Sequence, residues 1–330
     1  MENAVKRIGV LTSGGDAPGM NACIRAVVRS ANARGIECVG IRRGWQGLIA
    51  GDIMEMDNAS VSRIINRGGT MLYSARCDEF RTKEGQEKAY ATCKLIGLEG
   101  LVAIGGDGTF RGAQDLSKFG ISVVGIPGTI DNDINCTDYT IGFDTAANTA
   151  VECMDKLRDT MQSHERCSVV EVMGHRSGYL ALYVGVAIGA TAVLVPERPY
   201  DFEKHVAEKI RRARLSGKTN FMIVVAEGAA SGMAVGEEIR RELGLDPRVT
   251  ILGHIQRGGS RQGLRGGAAA GGGQDQPHRL HQRRADRQRG HRRRTGDDQN
   301  AGSGGIRGHD RHDRPLKPSP LTTAKQNLRL

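Results

Sequence analysis

The chain has 330 residues, of which 38% are hydrophobic and 25% are charged, so it can bury a large core and is long enough for two domains. Its seven cysteines occur singly, without a C-x-x-C pair, which argues against a zinc site and a disulfide framework. The charged N-terminus leads directly into an apolar strand pattern, and no apolar run reaches the ~20 residues of a membrane span, so we expect a cytoplasmic protein without a signal peptide or membrane helix.

The formal net charge of +10 comes from the C-terminal part of the chain. Residues 261–330 hold 14 Arg and 2 Lys against 6 Asp and no Glu, and they include no aromatic residue, no Val and no Met. A segment of this composition buries too little apolar surface to offset the entropy that it loses on ordering. We therefore predict a low-complexity, Arg- and Gly-rich, disordered tail at 261–330.

Predicted strands and helices alternate along the first part of the chain. The strands are 7–11, 36–41, 101–104 and 121–126, and the helices are 22–34 and 84–97. Residues 42–51, which contain the only Trp, are predicted to form a loop. This alternation predicts a parallel, doubly wound sheet with helices on both faces, which we assign to a first domain, 1–143.

Glycine-rich loops follow two of these strands. The first loop has the sequence TSGGDAPGMN at 12–21, and the second has GGDGT at 105–109. Glycines let backbone N–H groups approach a phosphate, and the following helix N-terminus favours anionic oxygens. The first loop matches neither G-x-G-x-x-G nor the P-loop pattern, so a plain tight turn remains an alternative there. Asp107 in the second loop is suited to Mg²⁺, which prefers oxygen ligands from protein and phosphate together.

A third motif, PGTIDND at 127–133, follows the strand 121–126. It places Asp131 and Asp133 at the carboxyl end of that strand. In open α/β sheets, ligands bind outside the carboxyl ends of the strands. The motifs at 105–109 and 127–133 therefore predict a nucleotide–Mg²⁺ site that faces a second reactant.

The second half of the chain repeats the α/β alternation and is assigned to a second domain, 144–260. The predicted strands are 168–173, 191–195, 221–225 and 250–252, and the helices are 145–161, 178–189 and 201–216. Glu227 follows one strand, and His254 and Arg257 follow another within the sequence GHIQRGG. Glu227 suits sugar hydroxyls, and the basic pair suits a sugar phosphate, although a lone His is more often a core residue. The expected fold is two Rossmann-like parallel-sheet α/β domains with the active site between them.

These motifs together resemble the ATP-dependent 6-phosphofructokinases of the bacterial type. The resemblance rests on TSGGDAPGMN, GGDGT, PGTIDND and GHIQRGG, and it extends from about residue 7 to Ser260. GGDGT alone also resembles the loop of NAD kinases and diacylglycerol kinases. The resemblance implies a glycolytic kinase that transfers phosphate from Mg·ATP to the 1-hydroxyl of fructose 6-phosphate, giving fructose 1,6-bisphosphate and ADP. It also implies an allosteric homotetramer.

The resemblance also assigns roles to individual residues. Residues implied to hold Mg·ATP are Gly15, Arg76, Cys77, Gly106, Asp107, Gly108 and Thr109, with Asp107 as the metal ligand. Asp131 is the implied catalytic base, assisted by Arg76 and Thr129. Residues implied to bind the sugar phosphate are Thr129, Asp131, Met173, Gly174, His175, Glu227, His254 and Arg257, together with Arg166 and Arg248 from a neighbouring subunit.

Two glycines bear on the phosphoryl donor. Diphosphate-dependent relatives usually carry Asp and Lys at the positions of Gly108 and Gly128, where the larger side chains fill the space of the nucleotide's α-phosphate. Glycine at both positions favours ATP, and the diphosphate-dependent enzyme is the alternative. His175 departs from the family because bacterial enzymes often have Arg there.

The family's effector site is only partly present. Its phosphate-binding arginines match Arg25, Arg29 and Arg158. Other positions have lost their charge: Asn58 replaces an Arg, Thr191 an acidic residue and Thr219 a basic one. We therefore expect weak or absent activation by ADP.

The tail also departs from the family, which continues after GGS with PT and a helix-rich segment. We hypothesise a shifted reading frame, because one set of codons for residues 261–266, CGG-CAA-GGA-CTG-CGT-GGC, reads one base later as Gly-Lys-Asp-Cys-Val, which resembles the family's continuation. The alternative is an inactive chain whose basic tail binds nucleic acid. We do not expect nucleic-acid binding, because the tail lacks the aromatic residues that stack on bases.

Overall fold

The computed structural model describes residues 5–259. The predicted tail at 261–330 lies outside the described residues. The first sheet has six strands in the order β3-β2-β1-β4-β5-β6. They are β1 (Arg7–Ser13), β2 (Glu37–Ile41), β3 (Ile53–Met56), β4 (Gly100–Gly105), β5 (Ser122–Thr129) and β6 (Ile141–Gly142). All neighbouring strands are parallel except β2 and β3, which are antiparallel.

Helices pack on both faces of this sheet. They are α1 (Met20–Asn32), α2 (Gly44–Ala50), α3 (Lys83–Leu95) and α4 (Asp107–Ser117), and a short 3₁₀ helix spans Glu79–Arg81. Val10 and Leu11 on β1 point to opposite faces, and both are fully buried. Burial on both faces is typical of parallel sheets and explains the continuous apolar runs of these strands.

The loop predicted at 42–51 is wrong, because this segment forms α2 and leads into the antiparallel strand β3. Trp45 and Leu48 on α2 are buried, and the Trp45 ring stacks on Phe80 with 4.5 Å between ring centroids. Helix α2 contains two glycines, Gly44 and Gly47, so local propensity disfavours it. Burial of the aromatic pair outweighs that propensity.

The second sheet has four parallel strands in the order β10-β7-β9-β8. They are β7 (Cys167–Val172), β8 (Ala192–Leu194), β9 (Phe221–Ala226) and β10 (Arg248–Ile251). The accompanying helices are α5 (Phe143–Ser163), α6 (Tyr179–Ala187), α7 (Glu208–Leu215) and α8 (Gly232–Leu243), with a π turn at Glu203–Ala207 and a 3₁₀ helix at Gly253–Arg257. Helix α8 is absent from the sequence-based expectation.

The α/β class and the parallel sheets predicted from the sequence are confirmed. The division at 143/144 stays a prediction. It coincides with the start of α5, but one hydrophobic cluster contains residues of both sheets, among them Val10, Ile104, Val170 and Val224. Among residues 5–259, no helix has both the length and the apolar character that crossing a bilayer requires.

Candidate active site

The main cleft of the described chain lies at the carboxyl ends of β1, β4, β5 and β7 and has a volume of about 830 Å³. Three of these strands end in one of the sequence motifs, since Ser13, Gly105 and Thr129 are their last residues, and β7 ends at Val172, directly before Met173. The two sheets therefore present their loops to one space, as the strand-end rule for α/β sheets predicts.

All seven residues predicted to hold the nucleotide line this cleft. They are Gly15, Arg76, Cys77, Gly106, Asp107, Gly108 and Thr109. The hydroxyl of Thr109 is buried and donates to the carbonyl oxygen of Ser13 at 3.0 Å, which ties the loop after β4 to the end of β1. A Cβ at Gly105 would lie 2.4 Å from that same carbonyl oxygen, so only glycine allows this approach.

Helix α4 begins within the GGDGT motif. Its N-cap is Gly106, which has no side chain to accept hydrogen bonds from the first turn. The first backbone N–H groups of a helix have no intrahelical partner, and the helix dipole favours negative charge there. The start of α4 in the cleft is therefore suited to phosphate oxygens.

Asp107, the predicted metal ligand, stands in the first turn of α4, and its carboxylate lies 2.8 Å from Nη2 of Arg111. Within residues 5–259, no three His, Cys, Asp or Glu side chains form a group that could enclose a metal ion. Mg²⁺ in phosphoryl-transfer sites is commonly bound by one or two carboxylates, with phosphates and water as its other ligands. The single carboxylate beside a phosphate-binding helix start fits that chemistry.

Asp131 also lines the cleft, two residues after the end of β5. Burial raises the pKa of its carboxyl above the usual range, and the charges of Asp133 and Glu227 add to the rise; His175 and a hydrogen bond from Thr129 oppose it. A carboxylate with a raised pKa is a better proton acceptor, as a general base requires.

The turn that carries Asp131 is fixed by Asn132, a residue that the sequence analysis did not identify. Asn132 has a left-handed backbone with φ of 51°, and its side-chain oxygen accepts a hydrogen bond from the backbone N–H of Thr140 at 3.0 Å. Asparagine adopts this conformation more readily than most residues. The signal was present in the sequence, because Asn between two Asp residues is typical of such a turn.

The sugar-side residues assemble at the ends of β7 and β9. Met173 and His175 line the cleft together with Thr129, Asp131 and Arg257. Oε1 of Glu227 accepts hydrogen bonds from the backbone N–H groups of Gly174 at 3.1 Å and His175 at 2.7 Å. Glu227 thus fixes the turn that follows β7.

The GHIQRGG motif forms the 3₁₀ helix after β10. Within it, Arg257 lines the cleft and pairs with Asp16 of the first glycine loop, whereas His254 is exposed and is not among the residues that line the cleft. Gln256 between them is fully buried, and its side-chain oxygen accepts from the backbone N–H of Met173 at 3.0 Å.

Two predicted sugar-phosphate residues lie elsewhere in the protomer. Arg166 directly precedes β7, and Arg248 is the first residue of β10, where it is in register with Ser168. Both therefore stand at the amino ends of parallel strands whose carboxyl ends face the cleft. One protomer does not bring these two arginines to Asp131.

The three predicted effector arginines also lie outside the cleft. Arg25 donates to the carbonyl oxygen of Val61 at 2.8 Å, and Arg158 donates to the carbonyl oxygen of Ile188. Arg29 is in the last turn of α1. Their role as an effector site stays a prediction.

The sequence analysis missed a pair of aromatic residues that line the cleft. Trp45 and Phe80 both line the cleft and stack nearly parallel, with an interplanar angle of 11°. A Cβ at Gly112 of α4 would lie 2.8 Å from Nε1 of Trp45, so the helix passes directly against the indole. The single Trp was visible in the sequence, but its placement depends on the misassigned helix α2.

Two sheets, parallel except for the pair β2–β3, present glycine loops and carboxylates to one cleft, which defines an α/β protein of the phosphate-binding class. Comparison with protein-family models identifies the family within this class. The chain belongs to the phosphofructokinase family, because the family model described as Phosphofructokinase matches residues 7–264. The family predicted from the motifs is confirmed.

Named relatives agree with this assignment. The chain is 57% identical over 259 residues to the ATP-dependent 6-phosphofructokinase of Shouchella clausii (strain KSM-K16), an alignment that covers 78% of this chain and 81% of that protein. It is also 57% identical over 256 residues to ATP-dependent 6-phosphofructokinase 1 of Clostridium perfringens (strain 13 / Type A), covering 78% and 80% of the two chains.

A solved structure, that of phosphofructokinase from Saccharomyces cerevisiae, matches with a TM-score of 0.71 and 38% identity. The match covers 77% of this chain and 39% of the yeast chain, so this chain spans about two fifths of the length of that relative.

Proposed function

We propose that this chain transfers the γ-phosphoryl group of Mg·ATP to the 1-hydroxyl of fructose 6-phosphate, giving fructose 1,6-bisphosphate and ADP. The observation that carries the proposal is the placement of Asp131. Its carboxyl, with a raised pKa, shares one cleft with the phosphate-binding start of α4 and with the turn after β7. The names of the relatives support the same donor and acceptor.

In this mechanism Asp131 accepts the proton of the 1-hydroxyl as the hydroxyl oxygen attacks the γ-phosphorus. The backbone N–H groups at the start of α4 stabilise the transferring phosphate, and Arg76 offsets charge that develops in the transition state. Asp107 would hold Mg²⁺, which neutralises phosphate charge when bound. Met173, His175 and Arg257 orient the sugar, and Glu227 holds the turn from which His175 projects.

Two glycines support ATP over diphosphate as the donor. A Cβ at Gly108 would meet no atom within 4 Å, so this position opens into the cleft. A Cβ at Gly128 would lie 3.2 Å from Ile104 and 3.3 Å from Met20, so a Lys at that position would also have to displace core side chains. The open space at Gly108 can thus take the nucleotide's α-phosphate, and packing at Gly128 disfavours the larger side chain of the diphosphate-dependent relatives.

The position of Arg166 and Arg248 supports a homo-oligomer, for which we propose the tetramer. Both arginines are remote from Asp131 within one protomer, and a phosphorylated sugar requires cationic contacts. A neighbouring subunit that presents its amino-terminal strand ends would supply them. As a glycolytic enzyme the protein is expected in the cytoplasm.

The test measures fructose 1,6-bisphosphate and ADP formation by the purified chain, with ATP or diphosphate as donor and with and without Mg²⁺. Nucleotide binding is followed independently by the fluorescence of Trp45, which is the only Trp of the chain and lines the cleft. Turnover with ATP that requires Mg²⁺ supports the proposal. Turnover with diphosphate but not with ATP would refute ATP as the phosphoryl donor. Nucleotide binding without sugar phosphorylation would refute fructose 6-phosphate as the acceptor.

A further inference from the structure

A smaller cavity, here called the β8 cavity, lies outside the main cleft at the carboxyl end of β8. Its volume is about 40 Å³, and none of the described residues that line it also lines the main cleft. Strand β8 is an edge strand of the second sheet and ends at Leu194, which lines the cavity with Val193, Val195 and Ala229. Ligands of open α/β sheets bind outside the carboxyl ends of strands, so this cavity has the placement of a ligand site.

The polar side chains that line the β8 cavity include cations and, among the described residues, no carboxylate. They are Arg198, Tyr200, His205 and Lys209. Arg198 and Lys209 are exposed, and neither forms an ion pair with a carboxylate of residues 5–259. The hydroxyl of Tyr200 donates to the carboxylate of Glu238, so its proton is already used. The cavity therefore has two positive charges without a paired carboxylate in the described chain.

These two unpaired cations differ from other cations of the same segment. The neighbouring cations are paired with carboxylates: Lys204 with Asp201 at 3.4 Å, and Arg211 with Glu203. A basic helix face is usually a solvated surface on which charges of opposite sign pair, as they do there. Arg198 follows β8, whereas Lys209 belongs to α7, so two separate elements bring their charges to one cavity.

His205 adds a hydrogen-bond donor to the same lining. It lies in the π turn Glu203–Ala207, and its Nδ1 accepts a hydrogen bond from the backbone N–H of Asp201 at 3.2 Å. A ring nitrogen that accepts carries no proton, so the proton of the neutral imidazole is on Nε2. No group of the described chain accepts a hydrogen bond from Nε2. Single π turns are rare and are frequent at functional sites.

The size of the β8 cavity limits the ligand that it can take. A water-sized group needs roughly 10–15 Å³ of such volume, so the cavity holds roughly three to four oxygen-sized groups. A tetrahedral oxyanion has that size, whereas a nucleotide or a sugar ring is too large. The apolar side chains of Val193 and Leu194 form part of the wall, and a wall of low dielectric strengthens the attraction between cation and anion.

We propose that the β8 cavity binds one tetrahedral oxyanion of the phosphate class, either as the free ion or as the phosphate group of a larger molecule. Arg198 and Lys209 supply charge-assisted hydrogen bonds, and Nε2–H of His205 supplies a neutral one. The site is separate from the proposed phosphoryl-transfer cleft, so the inference goes beyond the proposed function and does not depend on it.

The experiment titrates the full chain at constant pH with inorganic phosphate and, separately, with phenyl phosphate. Binding is followed by the Nε2 resonance of His205 in protein labelled with ¹⁵N at histidine, a local signal that separates this cavity from the main cleft. The resonance is assigned by its loss in His205→Gln. Lys209→Gln and Arg198→Gln each remove one lining charge. Arg212→Gln is the matched control, because Arg212 is an exposed cation of α7 that does not line the cavity.

We expect a saturable shift with the same Kd for phosphate in the wild type and in Arg212→Gln. The Kd should be about three- to tenfold higher in Lys209→Gln and in Arg198→Gln, the effect of one charge-assisted contact that is partly screened by solvent. Tighter binding of inorganic phosphate than of phenyl phosphate would identify the free ion as the ligand, and equal binding would identify the phosphate group of a larger molecule.

Two results would overturn the inference. One is a His205 resonance that does not shift, or shifts without saturating, with either probe. The other is an unchanged Kd in both Lys209→Gln and Arg198→Gln, since the cavity cations would then not hold the anion. Thermal melting checks that each variant is folded, and Arg198→Gln, whose change lies outside any helix, keeps the test open if Lys209→Gln does not fold.

Discussion

Nη2 of Arg257 lies 2.7 Å from the carboxylate of Asp16 and also donates to the backbone carbonyl of the same residue. Asp16 belongs to the glycine loop after β1, and Arg257 to the 3₁₀ helix after β10, so the contact joins residues 241 positions apart. It links the proposed nucleotide end of the cleft to the proposed sugar end.

Removing this pair should lower stability slightly. In Asp16→Asn the ion pair is lost while the side-chain size is kept, and because both groups are partly exposed we expect the free energy of unfolding to fall by at most about 1 kcal/mol. Denaturant titration measures it. Asp246→Asn, which removes a carboxylate 3.1 Å from Arg248 on the surface, is the comparison and should change less. A loss of several kcal/mol in Asp16→Asn would show that the contact organises the loop as well.

Replacing Asp131 should separate activity from stability. Asp131→Asn removes the proposed base, and we expect kcat to fall by about 10²–10⁴-fold while Trp45 fluorescence still reports nucleotide binding. Burial raises the pKa of Asp131 in the folded protein, so its ionised form is disfavoured there at neutral pH. The variant should therefore melt above the wild type at pH 7.

The change of this stability difference with pH follows from the linkage between folding and the protonation of Asp131. A carboxyl with a raised folded-state pKa contributes stability below its unfolded pKa, and this contribution is lost as pH rises through the folded pKa. The melting difference between Asp131→Asn and wild type should therefore shrink as pH falls below about 4, near the ordinary Asp pKa. The exposed Asp159→Asn is the control, and an Asp131→Asn variant with full kcat would remove Asp131 from the mechanism.

The open space at Gly108 is expected to determine whether ATP can act as the phosphoryl donor. Gly108→Asp introduces a carboxylate into the open cleft at the start of α4, and we expect kcat/KM for ATP to fall by at least about 10²-fold through steric and charge exclusion. Gly108→Ala is the matched control. It adds a methyl group without a clash, should keep ATP turnover, and should stabilise the helix by up to about 1 kcal/mol. Normal ATP kinetics in Gly108→Asp would mean that the α-phosphate does not pass this position.

Subunit sharing of the site can be tested by complementation. Arg248→Ala alone should raise the KM for fructose 6-phosphate, and Asp131→Asn alone should lower kcat by about 10²–10⁴-fold. If a neighbour donates Arg248, co-expression of the two variants should restore about a quarter of the sites, because each restored site needs an intact Asp131 and an intact Arg248 from different chains. Mixed oligomers with no more activity than the Arg248→Ala chains alone would place both residues in one subunit's site.

The response to ADP should be weak. Asn58, Thr191 and Thr219 carry no charge, and each charge-assisted contact missing from the predicted effector site costs roughly 1.5–3 kcal/mol of binding. We expect ADP to leave the sugar-phosphate saturation curve unchanged apart from competition with ATP. The measurement is initial rate against fructose 6-phosphate with and without ADP. A shift from a sigmoidal to a hyperbolic curve on adding ADP would contradict this expectation.

Most of the strand ends were readable from the sequence because buried parallel strands are continuous apolar runs that stop at glycine. Strands β1, β4 and β9 occur close to their predicted positions for this reason, and β5 does so as well although most of its residues are not buried. Helix α2 was missed because its glycines argue for a loop, and its stability comes from Trp45 packing on Phe80, a contact between distant segments. Helix α8 was also missed from the sequence. Its buried face, which includes Val235 and Ile239, is defined by packing against the second sheet.

The family could be identified from the sequence alone because its motifs are specific, and the glycines and carboxylates at strand ends predict phosphoryl-transfer chemistry. The tertiary structure alone decided which residues share the cleft. The carboxylate of Glu227 accepts the backbone N–H of His175, Arg257 pairs with Asp16, and Arg166 and Arg248 stand at the amino ends of β7 and β10. The physical reason is that strand direction and loop packing fix these distances, and residue order along the chain does not encode them directly.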